Sequence, residues 1–257
     1  MLFAIDIGNS NVVMGCLDES HKTDKLFRMV TDLKKTEDEY AAEMKMILEY
    51  NKVDCSQFEG AIICSVVPPL TEIFRIAVHK IIGKCALVVG TGVKTGLNIM
   101  IENPASLGSD LVATGVAAMA DYKLPVIIFD MGTATTITVV DKNGNYIGGA
   151  ILPGVSLSMN ALSSGTSLLQ KVPIEAPEKC INTTTLESMQ SGAVYGTAAM
   201  MDGMIDRFEE EIGEKCSVVA TGGMSAKIVP HCRHNVVYDE NLLLRGLGMI
   251  YRKNKRK

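Results

Sequence analysis

A chain of 257 residues with 47% hydrophobic content is long enough for one large domain or two of ordinary size. Its net charge of −4 gives no electrostatic footprint for nucleic acid, and no stretch is apolar and long enough to span a bilayer. Seven scattered cysteines, an odd number without a CxxC pair, exclude a zinc ribbon, a thioredoxin-type motif and a complete disulfide framework. Reduced thiols in a cytoplasmic protein are expected. Met1-Leu2-Phe3 runs straight into a strand, so no export leader is expected. Residues 2–7 and 12–17 read as strands around the turn Gly8-Asn9-Ser10-Asn11. TEDEYAAEMKMILEY (36–50) opens with a capping box, Thr36 with Glu39, and sets Tyr40, Met44, Ile47 and Leu48 on one helical face. AIICSVV (61–67) is a buried strand stopped by Pro68-Pro69, residues 71–82 a helix, 86–89 a strand and 109–122 a helix.

From residue 125 the opening pattern returns. PVIIFDMGTATTITVVD (125–141) repeats FAIDIGNSNVVMGCLD (3–18): apolar run, Asp, apolar residue, Gly, polar cluster, strand, acid. A third strand at 146–151, a long helix over about 183–212, strands at 217–221 and 235–239 and a terminal helix follow. Two related α/β halves are therefore expected, residues 1–121 and 122–257, with a ligand cleft between them.

Asp6 and Asp130 each end an apolar strand, where an ionised carboxylate needs a cation, donors or water. An ordinary Asp/Gly turn is the plain alternative for either one alone. Doubled, Asp-x-Gly hairpins make a phosphate site without a lysine. Glycine lets the backbone approach closely, the hydroxyls of Ser10, Thr133, Thr135 and Thr136 donate, and the acids hold charge-neutralising cations. Thr221-Gly222-Gly223 would let an adenosine ring lie against the backbone. The rival nucleotide motifs are weaker. GxxxxGK[ST] is absent, and LVVGTGVKTG (87–96) has the spacing GxGxxxG with no helical pattern after it. The cluster His231-Cys232-Arg233-His234 has no second ligand pair and reads as surface loop. Met200, Met201 and Met204 read as core or subunit packing, and the basic tail RKNKRK (252–257) as a solvated terminus.

These motifs resemble the acetate kinase, sugar kinase, Hsp70 and actin superfamily and, within it, the type III pantothenate kinases. The resemblance runs through DIGNSN (6–11), SVVPPL (65–70), NPASLGSD (103–110), DMGTATT (130–136), GGAILPG (148–154), ESMQSG (187–192), ATGGMS (220–225) and LRGLGMIY (244–251). It implies two ribonuclease-H-like halves whose duplicated hairpin phosphate loops face a central cleft. It also implies ATP-dependent phosphorylation of pantothenate, with Mg2+, a monovalent cation (K+ or NH4+) and a homodimer. Carried over residue by residue, Asp6, Ile7, Gly8, Asn9, Ser10, Asn11, Val12, Val13 and Thr133 contact ATP. Asp110 is the general base, Asp130 the metal ligand, and Gly108, Ser109, Leu111 and Thr185 contact the acceptor. A first-turn acid favoured by the helix dipole is the alternative reading of Asp110, and a helix cap that of Thr185.

The chain departs from the family on the acceptor side. Leu111 stands where the family has arginine, Ile101 where it tends to have tyrosine, and Gly165-Thr166-Ser167-Leu168-Leu169-Gln170 replaces Arg-Thr-Ala-Lys-Leu-Pro. One lost charge-assisted hydrogen bond is worth about 1.5–3 kcal/mol. Weakened pantothenate binding is expected, and a nucleotide-binding paralogue with another acceptor or a regulatory role is the alternative function.

Overall fold

The computed structural model describes residues 1–255, so the last two residues of the basic tail lie outside the described residues. β1 (Leu2–Ile7) and β2 (Asn11–Leu17) form the expected hairpin, and β3 (Thr23–Val30) extends it. β3 escapes the sequence reading because it is an edge strand: exposed Asp24 and Arg28 dilute the apolar signal of buried Phe27 and Met29. In α1 (Glu37–Tyr50) the capping box is closed in both directions, with Thr36 N–H donating to Glu39 Oε2 at 2.8 Å. β4 (Gly60–Ser65) and β5 (Ala86–Val88) pair in parallel, with α2 (Pro68–Ile82) as the crossover between them. β4 ends at Ser65, short of the expected end at Val67, and Pro68 and Pro69 instead open α2, because the first helical turn needs no N–H from them. The sheet order is β3-β2-β1-β4-β5. After the two-residue β6 (Asn98–Ile99) comes α3 (Ser109–Asp121).

The second half reuses this plan. β7 (Val126–Met131), β8 (Ala134–Val140) and β9 (Asn145–Pro153) form an antiparallel meander. α4 (Val155–Ser164) and α5 (Thr185–Ser191) come next, and a π-turn (Gly192–Gly196) joins α5 to α6 (Thr197–Ile212). The helix expected over 183–212 is thus one rod with a π insertion. β10 (Ser217–Thr221), α7 (Ser225–Ile228), β11 (Val237–Tyr238) and α8 (Leu242–Asn254) complete the described chain. The second sheet runs β11-β10-β7-β8-β9-β6, the first sheet's order with one strand added.

Contacts divide the chain into two units. One holds Met1–Leu97, Glu102–Ala117 and the chain from Asn241; the other holds Asn98–Ile101 and Ala118–Glu240. The expected second half ran on to residue 257, whereas α8 packs in the first unit. Leu242, Leu244, Leu247 and Ile250 are buried there against β1, β2 and β4. α8 lies so close to α3 that a Cβ on Gly246 would come within 1.9 Å of the Ala113 carbonyl oxygen.

Strand alternation sorts the side chains of the first unit. Phe3, Ile5 and Ile7 join Tyr40, Met44 and Phe74 of α1 and α2 in one core, where the Tyr40 and Phe74 rings stand 4.3 Å apart. Fully burying one such side chain contributes about 1.5–3 kcal/mol. Asp6 and its register partner Cys64 therefore point to the other face, the face α8 covers. In the second unit Ile127, Phe129 and Met131 pack against Ala198, Met201 and Ile205 of α6. Met200 and Met204 border the same core, as read from the sequence. Asp130 faces the opposite side of that sheet.

Candidate functional site

The two Asp-x-Gly hairpins match in local structure as well as in sequence. β1 and β7 share one burial pattern, β2 and β8 another, and both acids are half-buried at the penultimate strand position. Gly8 N–H donates to Asn11 C=O and Gly132 N–H to Ala134 C=O, each at 3.0 Å. The first tip is one residue longer, so Asp6 pairs with Val13 whereas Asp130 pairs with Thr136. Thr31 braces the first tip, its hydroxyl donating to Gly8 C=O at 2.6 Å and its N–H to Ser10 C=O at 3.2 Å. Asn9, Ser10 and Asn11, like Gly132 and Thr133, are exposed. Braced main chain at an exposed tip suits close approach by an anion.

The cross-strand partners distinguish the two acids. Val13 offers Asp6 no ligand atom. Thr136 Oγ1, on the same face as Asp130, is buried with no hydrogen-bond partner among the described residues. A carboxylate beside an orphan hydroxyl is an oxygen-only donor set, which fits a hard cation.

Asp110 is the second residue of α3, and in the first unit it sits close enough to the Cys64 thiol to act on it, as Asp6 does. Burial raises its carboxyl above the ordinary carboxylate range, against the lowering effect of the Leu111 and Asp110 backbone N–H groups. Leu111 N–H donates to Asp110 Oδ1 at 2.8 Å. A Cβ at position 108 would lie 2.3 Å from that oxygen, so Gly108 is the residue that lets the carboxylate sit there. A plain first-turn acid would gain by staying ionised and solvated; this one is desolvated, which favours the functional reading.

In the second unit, Gly222 adopts φ +91°, and a Cβ there would meet the Met131 backbone at 2.7 Å. The Thr221-Gly222-Gly223 turn thus docks on the end of the second hairpin, with Met224 N–H near Met131 C=O at 3.4 Å. The first unit has the same junction, where Val66 N–H donates to Ile7 C=O at 3.1 Å. The sequence marks this turn as a candidate nucleotide element; its bracing of the hairpin is visible only in the fold.

Thr185 lines a cavity of about 830 Å³ with Thr135, Leu169, Met159, Met189 and Met200. The cap of α5 belongs to Thr184, whose hydroxyl oxygen accepts the Glu187 N–H at 3.2 Å, so capping does not account for Thr185. Gly192, Ala193 and Gly196 of the π-turn also line the cavity, and π insertions recur at functional sites. The cavity lies on the α6 side of the second sheet, because Thr135 and Thr136 alternate across β8; Asp130 is on the other side. The π-turn and α4 leave no clear periodic signal in the sequence. Val155 is the one buried residue of α4, which leaves little helical periodicity to detect.

His234 Nε2 lies 2.9 Å from Asp206, and the His231 ring stacks edge-on with Tyr195. Among the described residues no three His, Cys, Asp or Glu side chains gather as a metal cluster, and no helix is long and apolar enough to cross a membrane. All seven cysteines are unpaired.

A family model described as type III pantothenate kinase matches residues 2–207. A type III pantothenate kinase of Brevibacillus brevis is 40% identical over 255 residues, 99% of this chain and 100% of that one. The Moorella thermoacetica protein of the same description is 38% identical over 254 residues, again 99% and 100%. Among solved structures, a Baf family protein of Campylobacter jejuni superposes with a TM-score of 0.62 at 20% identity over 98% of both chains. The (R)-2-hydroxyglutaryl-CoA dehydratase component A of Acidaminococcus fermentans does so with a TM-score of 0.58 at 11% identity, also over 98% of both. Likeness at such identities establishes the fold, the duplicated α/β halves of the actin-like ATPase and sugar kinase type.

Proposed function

Because this chain belongs to the type III pantothenate kinases, we propose that it transfers the γ-phosphoryl group of ATP to the hydroxyl of pantothenate. The product is 4′-phosphopantothenate, and the reaction opens coenzyme A biosynthesis. The observation that carries the reading is the full-length kinship joined to a desolvated carboxylate, Asp110, at a glycine-cleared helix start. Phosphoryl transfer asks little covalent chemistry of the protein and much positioning and charge stabilisation. In this reading Asp110 Oδ2 orients the acceptor hydroxyl and takes its proton, while Oδ1 stays anchored on Leu111 N–H. Residues Asp6 to Val13 and Thr133 hold the phosphates through exposed, braced main chain and hydroxyl groups. Mg2+ and a monovalent cation, when bound, supply the positive charge that lysine supplies in other phosphate loops. Asp6 would hold the first of these, and Asp130 with Thr136, whose oxygens fit a hard cation, the second.

In this reading Gly108, Leu111 and the main chain of Ser109, beside Asp110, border the acceptor; Thr185, on the wall of the second unit's cavity, is an acceptor contact by family resemblance. Leu111, standing beside Asp110 where the family has a cation, favours a less anionic acceptor as the second reading. We also infer a homodimer, supported by six exposed aliphatic side chains of the second unit: Ile151, Leu157, Leu162, Leu168, Ile181 and Leu186.

The test is phosphorylation of pantothenate with ATP, Mg2+ and K+. Turnover is expected in K+ and much reduced in Na+, and Asp130→Asn should abolish the K+ response by keeping the shape and losing the charge. Full activity of that variant without K+ would remove Asp130 from its role. Absence of turnover in the parent, with another hydroxyl compound accepted, would favour the second reading.

A further inference from the structure

Ser109 precedes the proposed base, and its hydroxyl is committed elsewhere. Along β4 and the residue after it the backbone groups point alternately to β1 and β5: Val66 N–H donates to Ile7 C=O at 3.1 Å, and Ile63 C=O accepts Val89 N–H at 2.9 Å. Ser65, two residues beyond Ile63, therefore faces the β5 side, where β5 has already ended at Val88. Its N–H and C=O have outrun the ladder. Ser109 Oγ takes the place of the next strand residue, accepting the Ser65 N–H at 3.2 Å and donating to Ser65 C=O at 3.0 Å. It also accepts the Cys64 thiol at 3.1 Å. A hydroxyl has two acceptor positions and one proton, and all three are used.

Cys64 is fully buried and pairs in register with Asp6. Its thiol is the donor in the contact with Ser109. The chain of contacts therefore runs from Asp6 on β1 through Cys64 and Ser65 on β4 to Ser109, whose next residue is Asp110. We propose that Ser109 and Cys64 are positioning residues that splice the start of α3 into the edge of β4 and thereby fix Asp110 relative to Asp6 for phosphoryl transfer. The proposal rests on reading Asp110 as the general base. Catalytic geometry is steep: a misplacement of about 1 Å can cost about a hundredfold in rate.

The test uses steady-state kinetics on the full chain, with binding of a non-hydrolysable ATP analogue measured by calorimetry and folding followed by thermal melting. Ser109→Ala should lower kcat about tenfold to a hundredfold while the analogue still binds with the parent's stoichiometry. Ser109→Thr, which keeps the hydroxyl, should recover most of the loss. Cys64→Ala should lower kcat less, and Cys64→Ser, which keeps a donor, should recover it. A Ser109→Ala enzyme with the parent's kcat overturns the proposal. So does a kcat loss that Thr fails to recover, or one that tracks the loss of analogue binding. A parent unable to phosphorylate pantothenate overturns the functional reading and this inference with it, whereas an active parent matched by Ser109→Ala overturns the inference alone.

Discussion

Asp110 shows how the chemistry proposed here conflicts with stability at a single residue. Its carboxyl titrates above the ordinary range because burial disfavours the ionised form. For an acid raised in this way, ionisation costs stability. The cost is absent below the unfolded-state pKa, grows as pH rises towards the folded value, and is fully present above it. At neutral pH the carboxylate is therefore held ionised at the fold's expense. Asp110→Asn should lower kcat by about two to four orders of magnitude, leave nucleotide affinity nearly unchanged, and raise the melting temperature at pH 7.5 by about 2 °C. Melting the parent and the variant across pH 4–8 checks the sign, since the difference between them should shrink as pH falls. Leu111, the next residue, carries the opposite test. If the missing guanidinium matters, Leu111→Arg should raise kcat/KM for pantothenate about tenfold or more, the worth of one charged hydrogen bond. A loss of activity instead would mean that the pocket anchors the acceptor by other groups.

At the scale of elements, the hairpins were legible and the parts that brace them were not. Asp6 and Asp130 stand out because an acid at the end of an apolar run violates the strand pattern, and a violation that occurs twice reads as design. β3 and α4 hide because each turns much of its surface to solvent. Tertiary dependence hides the rest: nothing local says that Ser109 will pair with Ser65, or that Gly222 will meet Met131. Gly222→Ala should push the turn off the hairpin, since left-handed backbone and a contact of 2.7 Å act together. We expect about 2–4 kcal/mol of destabilisation and a rise of at least about tenfold in KM for ATP. Gly223→Ala is the control for stability alone, with no protein atom within 4 Å of its added Cβ. Melting curves of the two variants should diverge, and an ATP titration of Gly222→Ala checks the KM.

For the whole molecule, the aliphatic residues left on the surface of the second unit make the subunit count a measurable consequence. Ile151 is 78% exposed on β9. Ile151→Lys should convert a dimer to a monomer in light scattering at micromolar concentration, with the melting temperature little changed; a parent already monomeric there would remove the dimer from the proposal. The repeat is legible in the sequence and the packing of α8 on the first sheet is not, because the apolar face of α8 says that the helix must pack and not on which sheet. That placement affects how the protein is made. The ribosome synthesises the first sheet early and the helix that covers it only after the entire second unit. During most of translation Asp6 and Cys64 therefore stand on a sheet face lacking its α8 cover, and nascent chains are most open to chaperone capture or oxidation in that interval. A stall or nonsense codon late in the message would spare the second unit's strands and leave the first, which carries the proposed base Asp110, unfinished.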